Sequence, residues 1–149
     1  PYYFDYKEKL LCIVSAINLV KLLTVESQSK VNVFNLIGDL YSIFNIDDWV
    51  KEYIFWELKL LEIVGFNLQL NKIAKSEVIN NEKKYFVLSN SEKKYIPNFL
   101  IERDEKKLDK KTLSKALKLV GDFLEKNILK PNNISYPNSR LEFVNLFKK

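Results

Sequence analysis

The sequence predicts a mainly α fold, a helical bundle of five to six helices with a small β-ribbon inserted after the third. Three observations carry that prediction. Apolar residues recur at the 3, 4 and 7 spacings of a helical stripe over most of the chain. Between Phe66 and Ile96 alone the period falls to about two, with β-branched and aromatic residues set among Asn, Ser and Lys. A length of 149 residues suits one domain over 1–149 that buries most of its apolar surface, with 66–96 as the insertion.

The first helix is expected from about Lys7 to Leu23, with Leu10, Ile13, Val14, Ile17 and Val20 on one side and Leu11, Leu19, Leu22 and Leu23 widening the apolar arc. So wide an arc implies burial by more than one neighbour. Ser29 is a candidate N-cap for a second helix whose stripe is Val33, Leu36, Ile37, Leu40 and Phe44. The third runs from about 48 to 64. Asp47 and Asp48 suit its start, and Gly65 suits the left-handed position that ends it. Short connections imply an antiparallel up-and-down arrangement of these three.

After Gly65 an extended run is expected. EKKYFVLSNSEKKYIP then reads as two short strands about an Asn90–Ser91 turn, with Phe66, Leu68, Leu70, Ile73, Phe86 and Val87 packing the ribbon. A short helix and a charged connector fill 97–108. A further helix spans about Lys110 to Ile128, with Leu113, Ala116, Leu117, Val120 and Leu124 inward, and Pro131 stops it. The last helix follows Pro137 and packs Leu141, Val144 and Phe147.

Composition excludes several chemistries. There is no histidine, so histidine triads, zincin motifs and imidazole proton shuttles are ruled out. One cysteine cannot build a disulfide framework, and Cys12, among Leu10, Leu11, Ile13 and Val14, reads as a small core residue. Only three glycines, Gly38, Gly65 and Gly121, are present, and none sits in a phosphate loop. No catalytic residue and no cofactor are therefore expected. No apolar run reaches membrane-spanning length and no signal layout opens the chain, so a cytoplasmic protein without membrane contact is expected. Beginning at Pro1 and lacking methionine, the chain is expected to be part of a longer product or to have lost modified methionines.

The net charge of +5 is unevenly spread: residues 1–64 carry 6 Lys against 9 acids, whereas residues 65–149 carry 18 basic residues against 10 acids. Phosphate contacts, if any, would belong to the second half. Lysine enrichment with abundant Asn and Ile equally fits the composition bias of an AT-rich genome.

Within that half, Glu-Lys-Lys-Tyr occurs at 82–85 and again at 92–95. Lysine neutralises phosphates and aromatic faces stack unpaired bases, so Lys83, Lys84, Tyr85, Lys93, Lys94 and Tyr95 are DNA-binding candidates. The same residues would also suit a solubilised edge strand. Lys111, Lys115 and Lys118 form a second candidate surface, or simply a solvated helix face.

Glu57 falls inside the apolar stripe of the third helix formed by Val50, Tyr53, Ile54, Leu60, Leu61 and Val64. A carboxylate there needs a partner. Arg140, one of two arginines, is the expected one, because a guanidinium can grip a carboxylate with two prongs. Lys51 and Lys59 are read as lying on other faces.

The block WELKLLEIVGFNLQL, supported in order and spacing by SAINLVKLL, LKLVGDFLEKNIL and PNSRL, resembles the C-terminal helical domain of RecO, the bacterial recombination mediator family. The resemblance implies a DNA repair and recombination mediator without enzymatic activity. It would bind single- and double-stranded DNA, anneal complementary strands, and work with RecR to load RecA. It also implies, in some relatives, docking of the acidic C-terminal tail of single-stranded-DNA-binding protein in a basic-rimmed apolar pocket. Some of those relatives carry arginine just before the motif glutamate, where this chain has Ile54 and Phe55. The family's N-terminal OB barrel is expected to be absent from this chain. Many relatives place two Cys-x-x-Cys-like pairs after Gly65 to hold zinc; the first such position appears here as Ile73, and no Cys or His follows, so no metal is expected. A helical protein-interaction scaffold without DNA contact is the alternative. A basic face continuous from ribbon to lysine helix would favour DNA, and a mixed-charge apolar groove would favour a partner peptide.

Overall fold

The computed structural model describes residues 2–27, 33–66, 68–103 and 107–148. Its described elements are α1 (Tyr2–Ser27), α2 (Val33–Ile43), α3 (Trp49–Ile63), α4 (Leu70–Ile73), β1 (Lys75–Ile79), β2 (Glu82–Ser89), β3 (Glu92–Ile96), α5 (Phe99–Glu102), α6 (Lys110–Leu124) and α7 (Asn138–Asn145). The chain is mainly helical, with a three-stranded antiparallel sheet inserted between the third and the later long helices. Ser29 lies outside the described residues.

α3 is the centre of the core. Tyr53, Ile54 and Leu60 are almost wholly buried, Trp49, Trp56 and Leu61 nearly so, and the Trp56 indole N–H donates to the Leu36 carbonyl of α2 at 3.0 Å. The helix ends as Gly65 allows. At φ +95° the glycine adopts a left-handed conformation, its N–H donates to Glu62 O at 3.1 Å, and the Phe66 N–H reaches Leu61 O at 2.7 Å. These two bonds are the Schellman closure of a helix C-terminus.

The chain does not run extended from there. Gln69 turns left-handed at φ 50° and Leu70–Ile73 form one helical turn, with Leu70 buried and Ile73 about half exposed. The amphipathic pull of Leu70 into the core outweighs the local β bias. The expected two-stranded ribbon gains a third strand, β1, which pairs with β2 from Lys75↔Phe86 to Ile79↔Glu82. β2 in turn pairs with β3 from Tyr85↔Ile96 to Ser89↔Glu92. Both hairpins turn on two left-handed residues, Asn80–Asn81 and Asn90–Ser91, as two-residue loops that match strand twist require.

α6 is strongly amphipathic, burying Ala116, Leu117, Val120 and Leu124, and the Asp109 carboxylate caps it by accepting from Thr112 N at 2.8 Å. Regular α geometry stops at Leu124, earlier than the apolar spacing suggested. A π-helical turn, Glu125–Leu129, and a 3-10 turn, Lys130–Asn132, follow, because Pro131 cannot supply the N–H that the Asn127 carbonyl would take in a continuing α-helix.

α7 buries Val144 and Phe147 as expected, but Phe143 takes the place expected of Leu141. Leu141 is 45 % exposed, whereas Phe143 is fully buried at the hub of an aromatic cluster, 5.4 Å from Tyr53, 6.3 Å from Trp49 and 5.3 Å from Phe147 between ring centroids. On α1, Leu10 and Val14 are likewise exposed, and Cys12, Ala16, Leu19, Val20 and Leu23 face inward.

Candidate nucleic-acid interface

β2 and β3 carry the paired lysines and tyrosines, and strand alternation decides where each points. The register Phe86↔Tyr95 and Leu88↔Lys93 puts Lys84, Lys93 and Tyr95 on one face of the sheet, while Tyr85↔Ile96 and Val87↔Lys94 put Lys83, Tyr85 and Lys94 on the other. The six residues therefore form two surfaces.

On the first face the charges are largely answered. Lys93 Nζ lies 2.7 Å from Glu77 Oε2, and the Tyr95 hydroxyl donates to the same carboxylate. Hydrogen bonds from Lys93 and then Tyr95 hold the Glu77 carboxyl below its ordinary range, and that same contact with Glu77 raises Lys93 and Tyr95. Lys93 also sits 4.9 Å over the Phe86 ring, which packs edge-on against Tyr95 at 6.0 Å. Lys84 remains exposed beside this cluster.

The second face turns toward α5 and α6. Ile96 is buried in the main core, the Tyr85 hydroxyl donates to Glu102 at 3.0 Å, and Lys83 lies 5.3 Å over the Tyr85 ring. Lys94 reaches α6, where its Nζ lies 3.7 Å from Asp122 Oδ2. The same oxygen accepts from Lys118 at 2.8 Å. Lys111, Lys115 and Lys118 are all exposed at spacings of four and three residues along α6. The two candidate surfaces thus meet at Asp122, whose carboxylate lies between Lys94 of β3 and Lys118 of α6.

Beneath α6 lies a buried polar cluster. Arg140 on α7 donates from Nη2 to Glu57 Oε1 at 2.7 Å and from Nε to Glu57 Oε2 at 2.9 Å, with both side chains at most 2 % exposed. Tyr53 donates to Glu57 Oε2 at 2.8 Å, Arg140 Nη2 also reaches the Leu117 carbonyl at 3.0 Å, and Arg140 Nη1 donates to the Tyr136 hydroxyl. Burial by itself would lower the guanidinium's pKa, but the Glu57 charge and its hydrogen bonds raise it above the ordinary arginine value. Gly121 makes room for the group: a Cβ there would stand 2.6 Å from Arg140 Nη1 and 2.7 Å from the Tyr136 hydroxyl. This cluster is enclosed, so its role is to fix α3, α6 and α7 to one another.

Among the described residues no group of three or more His, Cys, Asp or Glu side chains is placed to hold a metal ion, and no helix is long and apolar enough to cross a membrane.

A family model described as recombination protein O C terminal matches residues 7–135. The chain belongs to this family. It is 23 % identical over 155 aligned positions to DNA repair protein RecO of Rhodospirillum centenum (strain ATCC 51521 / SW), a match covering 95 % of this chain and 61 % of that relative. It is 34 % identical over 77 positions to DNA repair protein RecO of Rickettsia canadensis (strain McKiel), covering 52 % of this chain and 32 % of the relative. The chain thus spans about three fifths or less of the curated relatives it matches. No solved structure matches it.

Sequence reasoning missed the acids that meet Lys93, Tyr85 and Lys94. Glu77, Glu102 and Asp122 lie 16, 17 and 28 residues from Lys93, Tyr85 and Lys94, and no local pattern links them. Tyr53 was legible, since it stands one helical turn before Glu57. Lys51, read as lying on another face of the helix from Glu57, is itself nearly buried, at 7 % exposure.

A separate groove of about 700 Å³ opens between α2, α3, α4 and α5. Phe55, Leu58, Leu68 and Leu100 line its apolar floor, and Asp39, Glu52, Glu62, Lys59, Lys72 and Arg103 mix both charges around it.

Proposed function

We propose that the chain is the helical part of a DNA repair and recombination mediator that contacts nucleic-acid phosphates along the band from β3 to α6. Family membership supports the repair role, and both curated relatives are named DNA repair protein RecO. The observation that carries the DNA-contact reading is the convergence of Lys94 and Lys118 from two separate elements, which joins the ribbon to the lysine stripe. Lysine heads meet phosphate as point charges, so binding along this band is non-specific and salt-dependent, and it assists strand annealing rather than chemistry on DNA. In the mediator role the chain acts without catalysis, in the cytoplasm, on single- and double-stranded DNA, working with RecR in loading RecA.

The mixed-charge groove favours a second activity, docking of a partner peptide such as the tail of single-stranded-DNA-binding protein. Its three acids against three basic residues fit a strongly acidic peptide poorly, so DNA contact stands first.

Titration of labelled single-stranded DNA against the chain at several salt concentrations tests the reading. Binding that weakens linearly in log affinity against log salt is expected. Absence of binding even at low salt would leave peptide docking as the function.

A further inference from the structure

Asp122 is an odd residue to find in the middle of a cationic band. It follows Lys118 by four residues, the less favourable order for a helix ion pair. Helix stability therefore gives little reason for an acid here. Its contacts give one: a single oxygen, Oδ2, is approached by Lys118 at 2.8 Å from the same helix and by Lys94 at 3.7 Å from β3. The three side chains are 42–71 % exposed, so the pairs are screened and readily exchanged.

One anionic oxygen held between two ammonium groups from separate elements is the arrangement a non-bridging phosphate oxygen would take. We propose that Asp122 stands in for a backbone phosphate in the unbound chain, holding Lys94 and Lys118 together, and that a nucleic-acid strand binds by displacing it. The proposal rests on the DNA-contact reading above and deepens it. Asp122 makes the band self-competing: it keeps two lysines convergent while lowering affinity, so that the chain binds strands weakly enough to release them.

The test is Asp122→Asn, which keeps shape and removes charge, measured by single-strand titration over a series of salt concentrations. Affinity at low salt should rise roughly three- to tenfold, the factor that two exposed pairs are worth. The salt slope should change little, because Lys94 and Lys118 meet phosphates in the parent complex too once Asp122 is displaced. Two controls separate displacement from a general gain in positive charge. Glu125→Gln, one turn further on, removes one negative charge outside the bracket and should change affinity less. Adding Lys94→Gln and Lys118→Gln to Asp122→Asn should abolish the gain. Equal gains from Asp122→Asn and Glu125→Gln, or a gain that survives loss of both lysines, would overturn the proposal. Salt-dependent binding by the parent chain with no gain in affinity in Asp122→Asn would overturn it while leaving the DNA-contact reading intact, whereas no binding by any form would overturn both.

Discussion

Arg140 grips Glu57 with two hydrogen bonds across 83 residues of sequence, and both side chains are withdrawn from water. Neither charge could be buried alone, so the pair ties α7 to α3 in one geometry. Removing one partner strands the other. Glu57→Ala is expected to lower unfolding free energy by about 3 kcal/mol, and Arg140→Ala by a similar amount, measured as a shift of the urea midpoint. Exchanging both for apolar residues of like volume, Glu57→Leu with Arg140→Met, should cost less than either single change. A double variant as unstable as the sum of the singles would show that the pair does not act as a unit.

Gly121→Ala reverses the usual helix rule. Alanine in place of a helical glycine ordinarily gains up to about 1 kcal/mol. Here the added methyl would meet the Arg140 guanidinium at 2.6 Å and the Tyr136 hydroxyl at 2.7 Å, and neither can withdraw without breaking the cluster. A net loss of about 1–3 kcal/mol is expected. The loss should shrink when Arg140 is already replaced by Met, a coupling that a thermodynamic cycle measures directly.

Alkaline pH should unfold the chain early. Burial, reinforced by the Glu57 charge, pushes both the Cys12 thiol and the Tyr53 phenol well above their ordinary values. A group whose folded pKa is raised contributes stability that is fully present below its unfolded pKa. That stability is lost as pH climbs from there through the folded pKa. The unfolded values are about 8.5 for Cys and 10 for Tyr, so stability should be flat near pH 7–8 and fall progressively above about pH 9. Denaturant midpoints measured across that range should decline, and Cys12→Ala should remove the earlier part of the decline. A midpoint unchanged to pH 11 would contradict it.

Much of this fold could be read from spacing because the long helices and Gly65 obey local rules: the stripe of α3, the lone acid inside it and the glycine that closes it are neighbours in sequence. β1 was hidden because Lys75–Ile79 is mostly polar and exposed and gains its strand character only from pairing with β2. α4 was hidden because one turn around Leu70 answers to core packing, not to propensity. The partition of the lysines was partly available, since Lys83 and Lys84, like Lys93 and Lys94, are adjacent in strands and must point to opposite faces. What no local pattern carries is which face would meet Glu77 and which Asp122, because those contacts depend on how the sheet docks on α6.

That partition changes what lysine removal should do to DNA binding. Lys93 is held by Glu77 on the face away from α6, whereas Lys94 and Lys118 converge with Lys115 nearby on the band. Replacing Lys94, Lys115 and Lys118 with Ala should weaken single-strand binding without regard to base sequence, because the lost contacts are to phosphates. The slope of log affinity against log salt should flatten by about 2, at about 0.7 for each lysine engaged. Replacing Lys84 and Lys93 should change the slope by much less, since a strand lying along α6 does not reach the opposite face of the sheet. Equal flattening by the two sets would mean that DNA wraps both faces of the ribbon. Flattening by Lys84 and Lys93 alone would move the contact surface to the Glu77 face and leave the α6 lysines as a solvated stripe.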